Sequence, residues 1–337
     1  MTPGRRLLSD DPVDVGTAPD PVAAVLAAHA DGRRIALRTS GSTGQSRSVV
    51  RTSASWTRSF PTVAALTGLG EGSRLHVPGP LSGTMNLFAA VLGRWVGAVP
   101  AGSIAEASHA HLTPTALRRV LDAGEPVTGV HLTVAGDRLT RRLHDRAVAA
   151  GATVSHYYGA AELSFVAWGP HEDELRPFPG VEVSVRDGEV WVRSPFLCEG
   201  YDGPPGALRR DPAGFATVGD RGTLTDRVLR VAGRGSEAIT TGGATVLVAD
   251  VEAALRAAVD GELVVVGVPH AELGQVVAAV VTDAADLDRG RREARALVAT
   301  HRPRRWVHVP LLPLTAAGKV DRAALAASLA EPPVAAS

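Results

Sequence analysis

The sequence predicts an α/β protein made of two domains, and three of its features point to that class. Strand-like apolar segments alternate with helical segments between residues 34 and 156, which is typical of βαβ units and a largely parallel sheet. Short, strictly alternating strands follow from residue 182, and a compact α+β region begins after residue 232. We therefore expect a large domain, residues 1–232, with a mainly parallel sheet and a small β-rich subdomain, followed by a small α+β domain, residues 233–337.

The composition excludes some classes of function before any motif is considered. Apolar residues make up 45% of the 337 residues, which is ample for a core, and 35 basic side chains balance 35 acidic ones. Zero net charge argues against a nucleic-acid binder that neutralises phosphates, and against a polybasic membrane anchor. The sequence shows no apolar run of membrane-spanning length and no signal-type segment at its start, so we expect a cytoplasmic protein.

Cys198 is the one cysteine of the chain, so an internal disulfide is excluded. The spacing of the histidines and this cysteine does not resemble a zinc site. No histidine lies near Cys198 in sequence, so we expect a small buried thiol rather than a nucleophile. A histidine brought close to it by the fold is the alternative.

The elements of the large domain follow from period, caps and turns. Thr113 is a plausible cap with Pro114 at the first helical position, and Asp187-Gly188 joins two alternating strands as a hairpin turn would. A second antiparallel pair is expected around Asp226-Arg227. The predicted order is helix 22–30, strands 34–38 and 74–77, helices 84–95 and 114–123, strand 127–135, helix 139–150, strand 152–156 and strands 182–186 and 189–193.

The small domain is expected to begin near Gly233-Arg234-Gly235. Its predicted order is helix 249–257, strands 262–267 and 275–282, helix 287–300, strand 306–309 and a final helix. In the large domain, the loops at Thr39, Gly136 and Tyr158 each follow a predicted strand. Because ligands bind beyond the carboxyl ends of strands in parallel sheets, we expect these loops to meet at one crevice.

The first candidate site is the Ser/Gly-rich loop that follows strand 34–38. Its sequence is Thr39-Ser40-Gly41-Ser42-Thr43-Gly44-Gln45-Ser46-Arg47-Ser48. Small residues let successive backbone N–H groups turn inward as a nest for phosphate oxygens. The spacing differs from the GxxxxGK[ST] loop. A flexible connector is the alternative, and the position directly after a strand favours the phosphate-binding interpretation.

The second candidate is Lys319, the only lysine in a chain whose other 34 basic side chains are arginine. A compact ammonium on a flexible stem can reach into a closed site and act as a point donor, which the planar fork of arginine does less well. An exposed lysine in an arginine-rich protein is the alternative.

Together these segments resemble the adenylate-forming enzymes, which include acyl- and aryl-CoA synthetases and the adenylation domains of nonribosomal peptide synthetases. The resemblance covers residues 35–325, and the motifs occur in the order of the family. They are the phosphate loop Thr39–Gly44, Tyr158-Gly159-Ala160-Ala161-Glu162, Gly219-Asp220, the hinge segment 233–252 with Gly242-Gly243, the segment Val265–Gln275 and the lysine loop Leu314–Arg322.

The resemblance implies where the ATP phosphates and the reacting atoms lie. The residues expected to bind phosphate are Thr39, Ser40, Gly41, Ser42, Thr43 and Gly44. Arg47 stands where lysine is usual and is expected to contact phosphate with a different geometry. Glu162 is expected to hold Mg²⁺, which neutralises the phosphates. Lys319 is expected to bridge the substrate carboxylate and the ribose-side oxygens and to stabilise charge at the reacting centre.

Five further residues are expected around the nucleoside and the acyl carboxylate: Gly136, Tyr158, Gly159, Asp220 and Arg234. Asp220 would accept hydrogen bonds from the ribose hydroxyls, and Arg234 would add a donor there. The small domain is then expected to rotate about the hinge, remove the lysine and present Gly242 and Gly243 to the pantetheine thiol.

The implied activity is an acid-thiol ligase that uses ATP, Mg²⁺ and a small carboxylic acid, with CoA as the acceptor. The carboxylate attacks the α-phosphorus of ATP and gives an acyl-adenylate and pyrophosphate. An acyl carrier protein or an amine is an alternative acceptor. A catalytically degenerate nucleotide-binding or scaffold homologue is an alternative of another class. Some short members of the family resemble o-succinylbenzoate–CoA ligases, which makes that acid one candidate; the oligomeric state is not predicted.

Besides Arg47, other features also depart from the family pattern. Typical members carry a long segment ahead of the phosphate loop, so the resemblance implies a short form with a truncated large domain. Ala161 stands where a Ser or Thr hydroxyl assists ATP or Mg²⁺ binding, and Ser236 occupies a hinge position that is usually Asp or Lys. One lost charge-assisted contact costs on the order of 1.5–3 kcal/mol, which slows a reaction without abolishing it. Retention of the other key residues favours an active enzyme: Glu162, Asp220, Arg234 and Lys319.

Overall fold

A computed structural model describes residues 11–39, 47–203, 205–234, 238–315 and 319–330. The chain divides into two compact units by its internal contacts. The larger unit comprises Met1–Val218, Gly222–Val231 and Ala316–Lys319, and the smaller one comprises Gly219–Arg221, Ala232–Thr315 and Val320–Ser337. The division of the chain into the domains 1–232 and 233–337 stays a prediction.

The part of the chain up to Arg234 contains helices and many short strands. Its helices are α1 (Pro21–Ala30), α2 (Ser53–Thr57), α3 (Phe60–Thr67), α4 (Thr84–Trp95), α5 (Pro114–Asp122) and α6 (Arg141–Ala149). Its strands are β1 (Val13–Asp14), β2 (Arg34–Thr39), β3 (Arg47–Thr52), β4 (Arg74–His76), β5 (Val99–Pro100), β6 (His109–Leu112), β7 (His131–Val134), β8 (Thr153–Ala160), β9 (Ser164–Gly169), β10 (Arg176–Pro177), β11 (Glu182–Arg186), β12 (Glu189–Arg193), β13 (Gly200–Asp202), β14 (Arg209–Arg210), β15 (Ala216–Thr217), β16 (Asp220–Thr225) and β17 (Val228–Arg234).

A mainly parallel sheet lies at the centre of the larger unit, as the α/β class requires. Its strand order is β10-β9-β8-β7-β6-β4-β5; the five strands from β8 to β5 are parallel, and β9 and β10 are antiparallel additions. Leu112, Leu132 and Val134 of the inner strands are almost fully buried. These apolar residues alternate with His and Thr along β6 and β7, and His111 and Thr133 between them are also buried, so both faces of these strands are covered.

The helix start and the hairpin turns predicted from local chemistry are confirmed. Thr113 Oγ1 accepts a hydrogen bond from the Ala116 N–H at 3.2 Å, with Pro114 at the first helical position of α5. Asp187 and Gly188 both have positive φ, 51° and 76°, between β11 and β12. That conformation belongs to the turns whose twist matches a two-residue hairpin.

The strand that leads into the Ser/Gly-rich loop is not part of the parallel sheet, and this corrects the expectation from sequence. The strand β2 pairs antiparallel with β3 from Arg34↔Thr52 to Thr39↔Arg47, and β3 pairs with the distant strand β13. The resulting four-stranded sheet has the order β1-β2-β3-β13. Likewise, β8 continues through Tyr158 to Ala160 by pairing with β9, so Tyr158 lies inside a strand rather than after one.

The chain after Arg234 forms an α+β unit around one sheet. Its elements are β18 (Ala238–Thr241), β19 (Ala244–Leu247), α7 (Val248–Leu255), β20 (Leu263–His270), β21 (Gly274–Val281), α8 (Asp286–Glu293), β22 (Arg305–His308) and α9 (Arg322–Ala330). Glu252 of α7 is buried and accepts hydrogen bonds from the Val265 N–H at 2.9 Å and from Arg322 Nη1 at 2.7 Å. One carboxylate therefore holds α7, β20 and α9 together.

The predicted helix over 287–300 is wrong in its extent. The α-helix α8 ends at Glu293, one 3₁₀ turn covers Ala294–Ala296, and Leu297 is extended. Leu297 packs against the apolar cluster of this unit, so the chain leaves the helix to bury that side chain. Among the helices of the described segments, none combines the length and the apolar character that crossing a bilayer requires.

Candidate functional site

The two ends of the Ser/Gly-rich loop are held side by side. Thr39 and Arg47 are register partners at the end of the antiparallel β2–β3 pair. The strand ladder therefore fixes the points at which the loop leaves and rejoins the sheet. The remaining residues of the predicted phosphate site lie outside the described residues: Ser40, Gly41, Ser42, Thr43 and Gly44. Their role stays a prediction.

The Tyr158–Glu162 segment forms the tight connection between β8 and β9. The pairing slips at a bulge between Tyr158 and Gly159, and a Cβ atom built on Gly159 would lie 2.2 Å from the Ser164 carbonyl oxygen. Only glycine fits there without moving backbone. The turn directs Glu162 inward, where it is 7% exposed and its Oε1 accepts a hydrogen bond from the Tyr201 hydroxyl at 2.9 Å.

Arg51 of β3 is a buried arginine that hydrogen-bonds to the backbone of this segment. Its side chain is fully buried and donates to Ser55 Oγ at 3.2 Å, to the Ala161 carbonyl at 3.3 Å and to the Phe196 carbonyl. Burial lowers the pKa of Arg51 to about 10, against the opposing charges of Cys198 and Glu162, so the guanidinium remains charged at neutral pH. Arg51 thus ties β3 to the backbone next to Glu162.

Cys198 lies two residues after Phe196, whose carbonyl accepts from Arg51. It is a free, buried thiol, as predicted. Burial raises its pKa, which is the opposite of what activates a cysteine nucleophile. The prediction of a structural rather than a nucleophilic cysteine is therefore consistent with its surroundings.

Gly136 and Lys319 come together in the larger unit. Gly136 follows β7 and has φ +93°; a Cβ atom built on it would lie 3.3 Å from Met85 Sδ and 3.5 Å from Lys319 Cε. Lys319 belongs to this unit by its contacts and is exposed. An exposed ammonium next to the carboxyl end of a parallel strand is positioned to meet a bound anion.

The other predicted site residues belong to the smaller unit. Asp220 begins β16 and is 7% exposed, and Arg234 is the last residue of β17. Gly242 and Gly243, with φ of 55° and 81°, form the two-residue turn between β18 and β19, and the Gly242 N–H donates to the Leu273 carbonyl at 3.0 Å. Both positive φ values explain the glycine pair. Ser236 lies outside the described residues.

The site has one carboxylate that suits Mg²⁺ in the company of phosphates. Within the residues that the structure covers, no group of three or more His, Cys, Asp or Glu could hold a metal ion by itself. Magnesium in nucleotide sites is usually bound by one or two carboxylates, with the rest of its ligands from phosphate and water. Glu162 fits that arrangement because its carboxylate is fixed by Tyr201 through one oxygen.

Neutral histidines line the interior of the parallel sheet behind the site. The pKa values of His111 and His156 are lowered to about 4, in both cases chiefly by burial. His156 Nδ1 is 2.8 Å from the Val134 carbonyl oxygen, so it carries a proton and donates. His111 Nε2 lies 3.3 Å from the Tyr157 hydroxyl.

These histidines predict a loss of stability on mild acidification. The unfolded chain binds protons near pH 6.5 whereas the folded one resists until about pH 4, so stability is fully present above pH 6.5 and falls between these values. Each such histidine contributes a slope of up to about 1.4 kcal/mol per pH unit. Urea unfolding at pH 7.5, 6.0 and 5.0 measures it, and His156→Asn should reduce the slope. A slope in His156→Asn equal to that of the wild type would contradict the assignment.

Two residues of the site were missed from sequence, Arg51 and Tyr201. Arg51 follows the apolar pair Val49-Val50 and precedes Thr52 at the end of a short strand, where a charged residue is usually solvated. Tyr201 lies in the strand β13, far from Glu162 in sequence. The sequence near Arg51 and Tyr201 does not indicate their contacts with Ala161 and Glu162, because those contacts depend on the pairing of β3 with β13.

Comparison with known proteins shows which proteins this chain resembles. No protein-family model matches the chain. An uncharacterised acyl–CoA ligase of Bacillus subtilis is 28% identical over 323 residues, which are 84% of this chain and 66% of that protein. A probable 2-succinylbenzoate–CoA ligase of Mycobacterium tuberculosis is 38% identical over 209 residues, which are 57% of this chain and 52% of that protein.

The solved structures agree with these relatives. A variant of Escherichia coli MenE with bound OSB-AMS superposes with a TM-score of 0.76 at 25% identity, over 88% of this chain and 69% of that one. The chain spans between about half and two thirds of the length of the curated relatives given above. Ordered motifs, fold and relatives agree, and the chain therefore resembles the adenylate-forming enzymes, with proteins named as acyl–CoA ligases among its relatives.

Proposed function

We propose that the protein is an ATP-dependent carboxylate ligase that forms an acyl-adenylate and then an acyl-CoA thioester. The observation that carries the proposal is the placement of the only lysine beside Gly136, at the carboxyl end of a parallel strand. Relatives named as acyl–CoA ligases support it. Because the chain spans only part of the length of these relatives, their activity is proposed for this chain and is not assigned to it from their names.

In this mechanism the acid's carboxylate attacks the α-phosphorus of ATP, and pyrophosphate leaves. Lys319 places its ammonium beside the substrate carboxylate and the ribose-side oxygens, where it stabilises the negative charge of the reacting centre and so lowers the barrier to that step. Arg47 and the Ser/Gly-rich loop hold the phosphates in line. Mg²⁺ held by Glu162 would neutralise phosphate charge.

The smaller unit serves the nucleoside and the thiol in this proposal. Asp220 accepts hydrogen bonds from the ribose hydroxyls, and Arg234 adds a donor. The predicted domain of residues 233–337 then turns about its hinge and brings Gly242 and Gly243 to the thiol of CoA. A carrier protein presents the same pantetheine thiol, so the acceptor is a separate question from the adenylation. ATP and CoA are both cytoplasmic metabolites, and we place the reaction in the cytoplasm.

Pyrophosphate exchange tests the first half of the reaction. Purified protein, ATP and Mg²⁺ are incubated with labelled pyrophosphate and single aliphatic or aromatic acids, and label entering ATP is measured. We expect exchange with at least one acid and none without acid. Addition of CoA to that acid should give a thioester detected by mass. Saturable ATP binding together with no exchange for any acid would instead identify a nucleotide-binding homologue without ligase activity.

A further inference from the structure

Residues 198–201 hold Glu162 by its main chain and by its side chain. The Cys198 N–H donates to the Glu162 carbonyl at 2.8 Å, and the Tyr201 hydroxyl donates to Oε1 at 2.9 Å. Tyr201 pairs with Val49 of β3, in the same sheet that carries the two ends of the Ser/Gly-rich loop. Glu162 is therefore tied at two points to the sheet from which the expected phosphate-binding loop extends.

The hydrogen of the Tyr201 hydroxyl is directed to Glu162, because the other partner of this hydroxyl is a donor. The Leu208 N–H donates to the same hydroxyl oxygen at 3.2 Å, and a backbone N–H cannot accept. The hydroxyl therefore accepts from Leu208 and donates its one hydrogen to Oε1. A hydrogen bond to a carboxylate is also stronger than one between neutral groups.

Gly206 restricts the Tyr201 ring from a second side. A Cβ atom built on Gly206 would lie 2.2 Å from Tyr201 Cζ and 2.4 Å from the hydroxyl oxygen. Carbon atoms in contact lie about 3.5–4.0 Å apart, so only glycine fits here while the ring keeps its place. The chain from Gly206 to Leu208 thus confines both the ring and its hydroxyl.

The second oxygen of the Glu162 carboxylate, Oε2, is left for a ligand. Within the described part of the chain no group donates a hydrogen bond to Oε2, and this oxygen is not one of the enclosed side-chain atoms that lack a partner. The residue is 7% exposed, so the open part of its carboxylate is small. One oxygen is thus engaged by Tyr201 while the other is accessible.

Divalent cations differ in how they use the two oxygens of a carboxylate. Ca²⁺ takes six to eight oxygens in flexible geometry and binds carboxylates through one oxygen or through both. Mg²⁺ requires a nearly ideal octahedron, whose ligands lie at right angles, so the two close oxygens of one carboxylate do not suit it. A carboxylate with one oxygen already engaged therefore suits Mg²⁺ and denies Ca²⁺ its second contact.

We propose that Tyr201 is a positioning residue that keeps Oε1 of Glu162 engaged, leaves Oε2 as the single ligand atom, and so makes ATP binding selective for Mg²⁺ over Ca²⁺. The inference rests on the proposed function, which assigns the metal to Glu162. It goes beyond that function because it assigns the choice of metal to a residue that acts only through Glu162.

Calorimetric titration with ATP in the absence of any acid tests this selection. Dissociation constants are measured at saturating Mg²⁺ and at saturating Ca²⁺, and their ratio is the selectivity. We expect wild type to bind ATP more tightly with Mg²⁺. Tyr201→Phe removes only the hydroxyl and should weaken binding with Mg²⁺ by about 10-fold or more, as the loss of a partner of a metal ligand does. Binding with Ca²⁺ should stay unchanged or tighten, because both oxygens of Glu162 become available.

Two further variants make the comparison specific. Tyr157→Phe removes a hydroxyl from another partly buried tyrosine of the larger unit, whose oxygen lies 3.3 Å from His111 Nε2, and should leave the selectivity within about twofold of wild type. Gly206→Ala changes neither hydroxyl nor carboxylate, but it displaces the Tyr201 ring and should lower the selectivity as Tyr201→Phe does. Thermal melts establish that each variant is folded.

A double mutant tests whether Tyr201 acts through Glu162. Glu162→Gln should itself abolish the selectivity, and adding Tyr201→Phe to it should change neither dissociation constant further. Additive losses would overturn the proposal, as would an unchanged selectivity in Tyr201→Phe or in Glu162→Gln. If no acid supports exchange but ATP binding shows the expected pattern, the ligase proposal fails and this one stands. If exchange occurs while the selectivity is independent of Tyr201, this proposal fails alone.

Discussion

Replacing Lys319 with alanine should lower kcat/KM for adenylate formation by about 100- to 1,000-fold while the protein stays folded. Loss of one donor to an oxyanion costs about 3–4 kcal/mol in comparable sites, because the charge that develops in the transition state is no longer compensated. Lys319 is exposed, so the chain gives up little packing with it. The rate is measured as acid-dependent pyrophosphate exchange, with the far-ultraviolet circular dichroism spectrum as the test of folding.

Lys319→Arg distinguishes a positioned point charge from general positive charge. The broader guanidinium keeps the charge but not the shape, so we expect a loss at least 10-fold smaller than for alanine and still clearly below the wild type. Arg292→Ala, at an exposed cation on α8, is the matched control and should remain within about twofold of wild type. If Lys319→Ala retains more than a third of the exchange rate, the role of this lysine in adenylation is excluded.

The two half-reactions, adenylate formation and thioester formation, should respond differently to Lys319→Ala. In the proposed mechanism the lysine acts before pyrophosphate leaves and is withdrawn before the thiol attacks. Lys319→Ala supplied with chemically prepared acyl-adenylate should therefore form thioester at a rate within a fewfold of wild type. An equal loss in both half-reactions would indicate that Lys319 supports the structure of the site as a whole.

Local chemistry explains which elements were predictable from the sequence. Helix α4 has the predicted bounds, Thr84–Trp95, and the turn at Asp187-Gly188 forms the expected hairpin. In both cases the determinants lie within a few residues: an apolar face at helical spacing, or two positions that tolerate positive φ. Motif residues such as Glu162 and Lys319 could be singled out as candidates because they stand in short, ordered patterns, and their roles stay predictions.

Long-range pairing explains what the sequence left unpredicted. The strand before the Ser/Gly-rich loop was assigned to the parallel sheet, but β2 instead pairs with β3, and β3 pairs with β13 some 150 residues away. The contacts of Arg51 and Tyr201 depend on that sheet. No local period distinguishes a buried arginine in a strand from a solvated one, because its environment is set by chain segments remote in sequence.

Replacing Arg51 with leucine should destabilise the larger unit by about 3–5 kcal/mol, the second large effect we expect. The change removes three hydrogen bonds and takes the donor from the buried Phe196 carbonyl and the partly buried Ala161 carbonyl, and an unsatisfied buried group costs about 1–3 kcal/mol. Leucine regains apolar burial at Arg51, which offsets only part of the loss. Urea unfolding followed by tryptophan fluorescence measures the difference, since four of the five tryptophans lie in this unit.

Two further variants make the Arg51 experiment specific. Arg58→Leu makes the same chemical change at an exposed position and should shift the free energy of unfolding by less than about 0.5 kcal/mol. Arg51→Lys retains the charge, but one ammonium cannot reach Ser55, Ala161 and Phe196 together, so most of the destabilisation should persist. Because Arg51 holds the backbone next to Glu162, the Mg²⁺ concentration needed for half-maximal exchange should rise in Arg51→Lys. If Arg51→Leu unfolds within 1 kcal/mol of the wild type, the buried guanidinium is not what fixes Glu162, and the hydrogen bond from Tyr201 must do so by itself.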